Sequence, residues 1–520
     1  MSDNEKGNTL QDNMLDEYGY MHEQPADFVG GIPERLNLPS MFIIVTELCE
    51  RFAYYGVSMM FTQYLRSNLE LSKQSSVAIN RGFTFFSYFT TLFGAFIADQ
   101  YTGKFKAIAA FASWYVIGMF LLAVSALSSL ARSTQIALFI VSTYLFVGFG
   151  TGGIKANVSS FVAEQIRTGY KATSTPGIYI DSRATVERSY RYFYMAINIG
   201  ATSGMLICPA VAKSSGYFYA FLIPAILMVI GIIVFIPGNK RYVHKPITVS
   251  PFIKTYNCIR YALKNKSSSN EHWLDASKGI KGGEWDDNFV EGLKRSVKAC
   301  KVFLFYPFYW ALYNSTSDNF VNQGLQMKRP SWLAASQLNI VSSVFNIMLI
   351  PILDTFLFPY LAKRGIKMGP IKRISIGFFI VSISFVYITV LQKIVYKTGP
   401  YYDFTGPNVP NDAYNDISIW WQIPAFISIS VSEIHASITG LEFAFSQSPS
   451  ELKSTLTAVY LFTNAGGSLL GLILAIFSGD PTVLYLFAAE SVIIFIMAIA
   501  FYSLFKHYDN YIREQVTYEG

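Results

Sequence analysis

Charge is scarce in this 520-residue chain: Asp, Glu, Lys and Arg make up 14% of it, against 52% hydrophobic and 16% aromatic residues. That is too little charge to cover the surface of an ordinary soluble protein of this size, so a membrane protein is implied. Cysteine is scarce as well. Cys49, Cys208, Cys258 and Cys300 show no paired spacing and fall in apolar spans or a basic segment, which argues against a disulfide framework. No metal-ligand cluster, Ser/His/Asp set or phosphate-binding loop stands out. The run GFGTGG, beginning at Gly148, precedes a lysine in an apolar helix rather than opening a strand-to-helix turn, so an enzyme is not expected. The net charge of +7 comes without a basic helix or an aromatic-interleaved basic patch, which speaks against nucleic acid as a partner. The first forty residues lack the basic start and short apolar run of a signal peptide, and read as a flexible, polar, cytoplasmic tail.

What the chain does have is long apolar runs. A bilayer core takes roughly 20 apolar residues per helix. Runs of that order recur about twelve times, at 40–65, 80–98, 106–128, 134–162, 190–212, 217–237, 302–322, 334–361, 371–393, 418–446, 455–478 and 482–505. They divide into six and six. The resulting organisation is a tail (1–37), a six-helix bundle (38–237), a linker (238–301), a second six-helix bundle (302–505) and a short tail (506–520). The fold class is an all-α polytopic membrane protein. Lys104, Lys106, Arg167, Lys171, Arg183, Arg188, Arg191, Lys363, Arg364, Lys367, Lys372 and Arg373 fall in alternate loops, so by the positive-inside rule both termini are expected in the cytoplasm. The linker is long, basic and broken by SSSN and KGG. Within it Phe252, Tyr256, Ile259 and Leu263 recur at helical spacing and predict an amphipathic helix on the membrane surface. The Pro-, Gly- and Asn-rich segment 397–416 reads as an ordered loop.

Charged residues inside lipid cost several kcal/mol and are retained facing a partner or a wet cavity. The first span reads TELCERFAYYG, and its Glu47, Glu50, Arg51, Tyr54 and Tyr55 share one helical stripe. Two acids and a base leave a net negative charge suited to carrying a proton, and the Arg offers a planar fork for a carboxylate. The bland alternative is an ion-pair network that only joins helices. In the fourth span, Gly148, Gly150, Gly152 and Gly153 permit close helix approach. Lys155 follows near mid-membrane and requires a carboxylate, for which Glu47 and Glu50 are the candidates. Asn198 in the fifth span fits a peptide backbone or a neighbouring helix equally well. In the tenth, Glu433 is again a carboxylate deep in an apolar run, whereas His435 two residues on cannot share its face and is left out of the site.

The segment ELCERFAYYG resembles the Glu-x-x-Glu-Arg-Phe-x-Tyr-Tyr-Gly signature of the proton-dependent oligopeptide transporter family. GAFIADQYTGKFK at 94–106 is similar to the loop after the second helix of the major facilitator superfamily, to which that family belongs. Further likeness lies in YRYFYMAINIGA, through Phe193, Tyr194, Asn198, Gly200 and Ala201. It continues in TGLEFAFSQSPSELKS, through Gly440, Leu441, Glu442, Phe443, Pro449 and Lys453. The resemblance runs from about residue 38 to 505 and is strongest to fungal and other lower-eukaryotic members. It implies two six-helix bundles that rock about a central site, moving di- and tripeptides together with protons as the coupling ion and with no cofactor. It implies Glu47, Glu50, Arg51 and Lys155 in proton coupling. It implies Arg51, Tyr54, Tyr55, Tyr88, Lys155, Asn198, Trp310, Asn314, Glu433 and Tyr460 at the substrate. Asp99, an acid near helix ends beside basic residues, reads as an inner-face gating latch or a topology-setting loop charge, and Glu442, nearer the inner end, as gating or structural. Glu433 would read the peptide's amino end and Lys155 its carboxyl end. Tyr88 matches a pocket tyrosine of the family, with a packed aromatic as the alternative. Departures occur at Ser58, where many members have Arg, and at Asn314, where many have an acid; Ser342 and Tyr460 replace a frequent Asn and Trp. A monomer in the plasma membrane is expected. A transporter of another small solute such as nitrate, or a peptide-sensing receptor, are the competing readings.

Overall fold

A computed structural model describes residues 19–509, except 22, 246–250, 266–271, 280–284, 358–359, 361–363, 365–367, 408, 411 and 448–451. The outermost tails, Lys363, Lys367, Pro449 and the SSSN and KGG segments of the linker, all used above, lie outside the described residues.

The first bundle comprises α1 (Leu38–Ser58) with a short extension α2 (Phe61–Ser67), α3 (Lys73–Ile97), α4 (Lys104–Ser125), α5 (Arg132–Glu164), α6 (Ser182–Ser215) and α7 (Tyr217–Lys240). Local chemistry fixes several of these starts. Asn37 accepts a hydrogen bond from the Ser40 amide at 2.9 Å with Pro39 just inside α1, and Asp181 accepts from the Arg183 amide to open α6. The linker carries α8 (Pro251–Lys264) and α9 (Asp287–Phe303). The second bundle comprises α10 (Tyr306–Tyr313) continued by a turn into α11 (Asn319–Leu325), α12 (Asn339–Ile352), α13 (Pro370–Lys397), α14 (Ile423–Glu433) continued into α15 (Thr439–Ser446), α16 (Lys453–Leu474) and α17 (Val483–Phe505). Twelve crossings in two sixes result, matching the expected architecture.

Among the described residues, eight helices are long and apolar enough to cross a membrane by length and composition. The crossings outside that set have physical reasons to be. The first holds three charged residues, the second carries Lys73, Asn80 and Arg81, the seventh is interrupted by Asn314–Ser317, and the tenth contains a wide turn at Ile434–Ile438. Broken or polar helices are tolerated at membrane depth where they face protein or a cavity.

Each bundle has its own apolar core. One gathers Phe61, Phe83, Tyr115, Phe139, Phe161 and Phe221, the other Tyr306, Tyr309, Phe320, Phe378, Phe385 and Phe487. The bundles meet where α3 packs on α16 and α6 on α12. Hydrogen bonds and ion pairs that join them collect at the end away from the linker: Thr62 to the Ser317 carbonyl, Gln337 to the Leu206 carbonyl, Lys213 to the Leu333 carbonyl, and Lys73 with Asp480. That end is closed.

The tail departs from expectation. Part of it is ordered against the bundle: β1 (Tyr20–Met21) and β2 (Gly30–Ile32) join β3 (Tyr170–Ala172) and β4 (Ile178–Asp181) in a sheet ordered β1-β3-β4-β2, and Tyr20 donates to Glu34 at 2.7 Å. Such short strands carry no readable two-residue period, and their partners come from the loop between α5 and α6. The predicted linker helix is present as α8, but a different face is covered. Cys258 and Ala262 pack with Leu274, Phe289, Val290 and Leu293, and Tyr256 and Leu263 are exposed. In the 397–416 segment Asn415 donates to the Val395 and Tyr402 carbonyls, and β6 (Asn415–Ser418) pairs with β5 (Met327–Lys328).

Candidate functional site

The α1 stripe is buried as a unit. Arg51 Nε lies 3.1 Å from Glu47 Oε1, and its Nη2 pairs with Glu50 Oε2. Thr151 of α5 donates to the other oxygen of Glu50 at 2.5 Å. One guanidinium therefore holds both carboxylates, with a hydroxyl from the next helix steadying the second. The helices around this cluster approach closely. On Gly200 of α6 a Cβ would lie 2.4 Å from the Leu48 carbonyl oxygen, and on Gly152 of α5 it would lie 2.0 Å from Thr90 Oγ1.

Lys155, one turn beyond Thr151, is not paired with Glu47 or Glu50. Its Nζ stands 4.1 Å from the centre of the Tyr88 ring and 5.0 Å from that of Tyr54. This corrects the expected lysine–carboxylate pair: Arg51, on the same helix as both acids, reaches them without crossing between helices, and the lysine is left to the aromatic faces.

Between the bundles, beneath the closed end, is a cavity of about 230 Å³. Tyr54, Tyr55, Tyr88 and Asn198 line it from the first bundle, and Asn314, Asn346 and Glu433 from the second. Glu433 accepts from Asn346 Nδ2 at 2.7 Å and from the Tyr313 hydroxyl. Asn314 donates to Asn464 and Ser468 of α16, and Asn198 to the Tyr194 carbonyl of its own helix. A second cavity, about 330 Å³, opens toward the linker and is lined by Asp99, Lys104, Lys155 and Leu461. Lys155, with Tyr54 and Tyr88 beside it, thus stands at the boundary of the two.

Several predicted residues sit elsewhere. Trp310 and Tyr460 are packed in the second core, where Trp310 donates to Thr463 at 3.0 Å and Tyr460 to the Ser437 carbonyl at 2.7 Å. Arg51 is enclosed by its two acids behind Tyr54. Asp99 lines the linker-side cavity beside Lys104, which pairs with Glu164 at 2.6 Å. Glu442 is 65% exposed at the linker end, 3.5 Å from Arg373. Thr151, Tyr313 and Asn346 were not singled out from the sequence. A membrane-helix threonine or asparagine usually bonds within its own helix, and only the chain's folding shows which ones meet a carboxylate. Among the described residues no group of three or more His, Cys, Asp or Glu is placed to hold a metal ion.

Residues 105–493 match the model of the POT family. The chain is 36% identical over 493 residues to the probable peptide transporter ptr2 of Schizosaccharomyces pombe, covering 92% of this chain and 79% of that protein. It is 34% identical over 505 residues to peptide transporter PTR2 of Saccharomyces cerevisiae, covering 94% and 81% respectively. Among solved structures, the POT family transporter PepTSo superposes with a TM-score of 0.76 at 22% identity over 92% of this chain and 99% of that one. An auto-inhibited POT family peptide transporter gives 0.70 at 23%, over 89% and 96%. At that level of identity the structural likeness speaks to the fold.

Proposed function

The chain belongs to the POT family, and from that premise we propose that it carries di- and tripeptides across a membrane together with protons, by alternating access of one central site. The observation that carries the reading is the cavity's opposed chemistry. Glu433, held by Asn346 and Tyr313, faces it from the second bundle, and Lys155, with no carboxylate at ion-pair distance among the described residues, stands behind Tyr54 and Tyr88 on the first. A zwitterionic peptide needs one group of each sign at its two ends. Glu433 takes the ammonium and Lys155 the carboxylate, while Tyr54, Tyr55, Tyr88 and Asn198 surround the backbone and side chains without demanding one residue type.

Protons are the coupling ion, and Glu47 and Glu50 carry them. A proton on either acid weakens its hold on Arg51 and lets the guanidinium join Lys155 at the peptide carboxylate. The closed end and the cavity reaching toward the linker fit a state accessible from the linker side. Lys104, Lys106, Arg167 and Arg183 at that side support its being cytoplasmic, with both termini there. Asp99 and Glu442 lie at the same end, where rocking changes inter-bundle distance most, and act in gating. The protein works as a monomer in the plasma membrane. The test is uptake of a labelled dipeptide into liposomes holding the purified protein, driven by an inward proton gradient, with nitrate and free amino acids as competitors. Gradient-dependent uptake competed by peptides alone is expected; uptake competed by nitrate, or none at all, overturns the reading.

A further inference from the structure

Three more ionisable side chains are buried together near the closed end, outside the site above. Arg81 of α3 reaches from the first bundle into the second. Its Nε lies 2.5 Å from Asp318 Oδ2 and its Nη2 3.2 Å from Asp318 Oδ1; Nη1 donates to the Ala311 carbonyl at 2.9 Å and Nη2 to Ser315 at 2.8 Å. Gly471 of α16 closes against the guanidinium, where a Cβ would lie 2.8 Å from Arg81 Cζ. Asp318 also accepts from the Asn319 amide, opening α11. The third member is Glu490 of α17. It is 3% exposed and its Oε2 has no hydrogen-bond partner. The charged groups acting on it are Arg81 from α3 and Asp318 from the turn before α11. From α13 the neighbouring contact is neutral, Ser382 with Ser491.

Two carboxylates and one guanidinium, all ionised, leave a net negative charge in a dry interior. An uncompensated buried carboxylate costs several kcal/mol and is relieved by taking up a proton. Asp318 already has the guanidinium and an amide, and Glu490 has an empty oxygen. We propose that Arg81, Asp318 and Glu490 form a second proton-binding site, in which one proton carried on Glu490 neutralises the cluster while the two bundles are closed at this end. Opening that end draws Arg81 away from the Ala311 carbonyl, Ser315 and Asp318 and admits water to Glu490, which no longer needs the proton. Closure and proton occupancy therefore favour each other, by the reciprocity of linked equilibria. The proton site stands on the cluster alone; its role in a transport cycle rests on the reading above.

Infrared spectroscopy of the purified protein tests the site directly. The wild type at neutral pH is expected to show the carbonyl stretch of a buried protonated carboxyl group, lost in Glu490→Gln. It is lost in Asp318→Asn too, because removing one negative charge leaves Glu490 as the ionised partner of Arg81. Glu47, Glu50 and Glu433 are common to all samples, so the readout is the wild type minus variant difference spectrum; absence of a protonated-carboxyl component from either difference overturns the proposal. Spin labels at Ser129→Cys and Lys397→Cys, with Cys300→Ser, read closure. Their separation should lengthen as pH is raised in the wild type and stay short in Glu490→Gln; an unchanged pH response in that variant overturns the link to closure. Peptide counterflow without a proton gradient is run on the same samples. If counterflow is absent while the band behaves as expected, the transport reading fails and the proton site stands.

Discussion

Lys155 meets Tyr88 face-on, its Nζ 4.1 Å from the ring centre, and no carboxylate within ion-pair distance competes among the described residues. A cation against an aromatic face is worth about 0.5 to 2 kcal/mol, more when water is excluded. It is also easier to give up than a buried ion pair, which leaves the lysine available to a ligand. Tyr88→Phe should keep nearly wild-type peptide KM and Tyr88→Leu should raise it several-fold. Lys155→Ala should abolish gradient-driven uptake while leaving the protein folded. Equal KM for the Phe and Leu variants would show that the ring face is not what positions the lysine.

The α1 stripe was legible because three charges in one apolar run have few harmless explanations, and the stripe is a matter of helical spacing alone. Partner choice was not. Spacing puts Glu47 and Arg51 one turn apart, but only the crossing of α1 with α5 decides that Thr151 rather than Lys155 meets Glu50. Aromatic identity likewise says nothing about whether a ring faces a cavity or a core, which is why Trp310 and Tyr460, expected at the substrate, are found in packing. Arg81 and Asp318 are 237 residues apart in the chain and meet across the two bundles. The two six-helix halves were readable throughout, since apolar length is a one-dimensional signal.

Thr151 gives a stability prediction. Thr151→Val keeps the shape of the side chain and removes the donor to a buried, charged Glu50, a loss of about 1.5 to 3 kcal/mol. Thr151→Ser should retain the bond. Thermal unfolding in detergent should place Val clearly below wild type and Ser close to it; a Val variant as stable as wild type would show the hydrogen bond contributes nothing.

Helix crossings predict a contrast between two glycines. On Gly152 the new methyl of Ala meets the Thr90 hydroxyl first, with the Ser87 carbonyl oxygen at 2.9 Å, whereas on Gly200 it meets the backbone carbonyl of Leu48 at 2.4 Å. Overpacking of this kind costs about 1 to 3 kcal/mol. Gly152→Ala should be partly rescued by Thr90→Ala, and Gly200→Ala, set against main chain, should have no such single-residue rescue. Thermostability of the two singles and the double reads this out.

In the linker, Asp275 is held down to about 2, chiefly by a hydrogen bond from Lys294, with Lys278 and the His272 amide adding to it. A carboxyl lowered on folding stabilises the fold above its ordinary value, and that contribution is lost as pH falls through the lowered one. The window is therefore from the ordinary 3.8 down to about 2. Amide exchange in α8 and in the Trp273–Ser277 turn should rise over that window in the wild type. In Asp275→Asn it should already be raised at neutral pH and change little on acidification. An identical acid response in both would remove Asp275 as its cause.

Glu433 makes the sharpest functional prediction, because its partners are neutral. Asn346 and Tyr313 donate to it but bring no positive charge, so on the cavity wall its charge is left for a ligand to answer. A peptide ammonium supplies that charge and an acetylated amino terminus does not. A hydrogen bond to a charged group is worth about 1.5 to 3 kcal/mol, and each 1.4 kcal/mol is tenfold in affinity. The wild type should therefore prefer a free dipeptide over its N-acetyl form by ten- to a hundred-fold in competition for uptake. In Glu433→Gln the free peptide should weaken and the acetylated one should not, so the preference collapses toward unity. C-terminal amidation should behave oppositely, remaining harmful in Glu433→Gln because it acts at Lys155 on the other bundle. If Glu433→Gln instead weakened both peptides equally, the carboxylate would be supporting the cavity rather than reading the amino end.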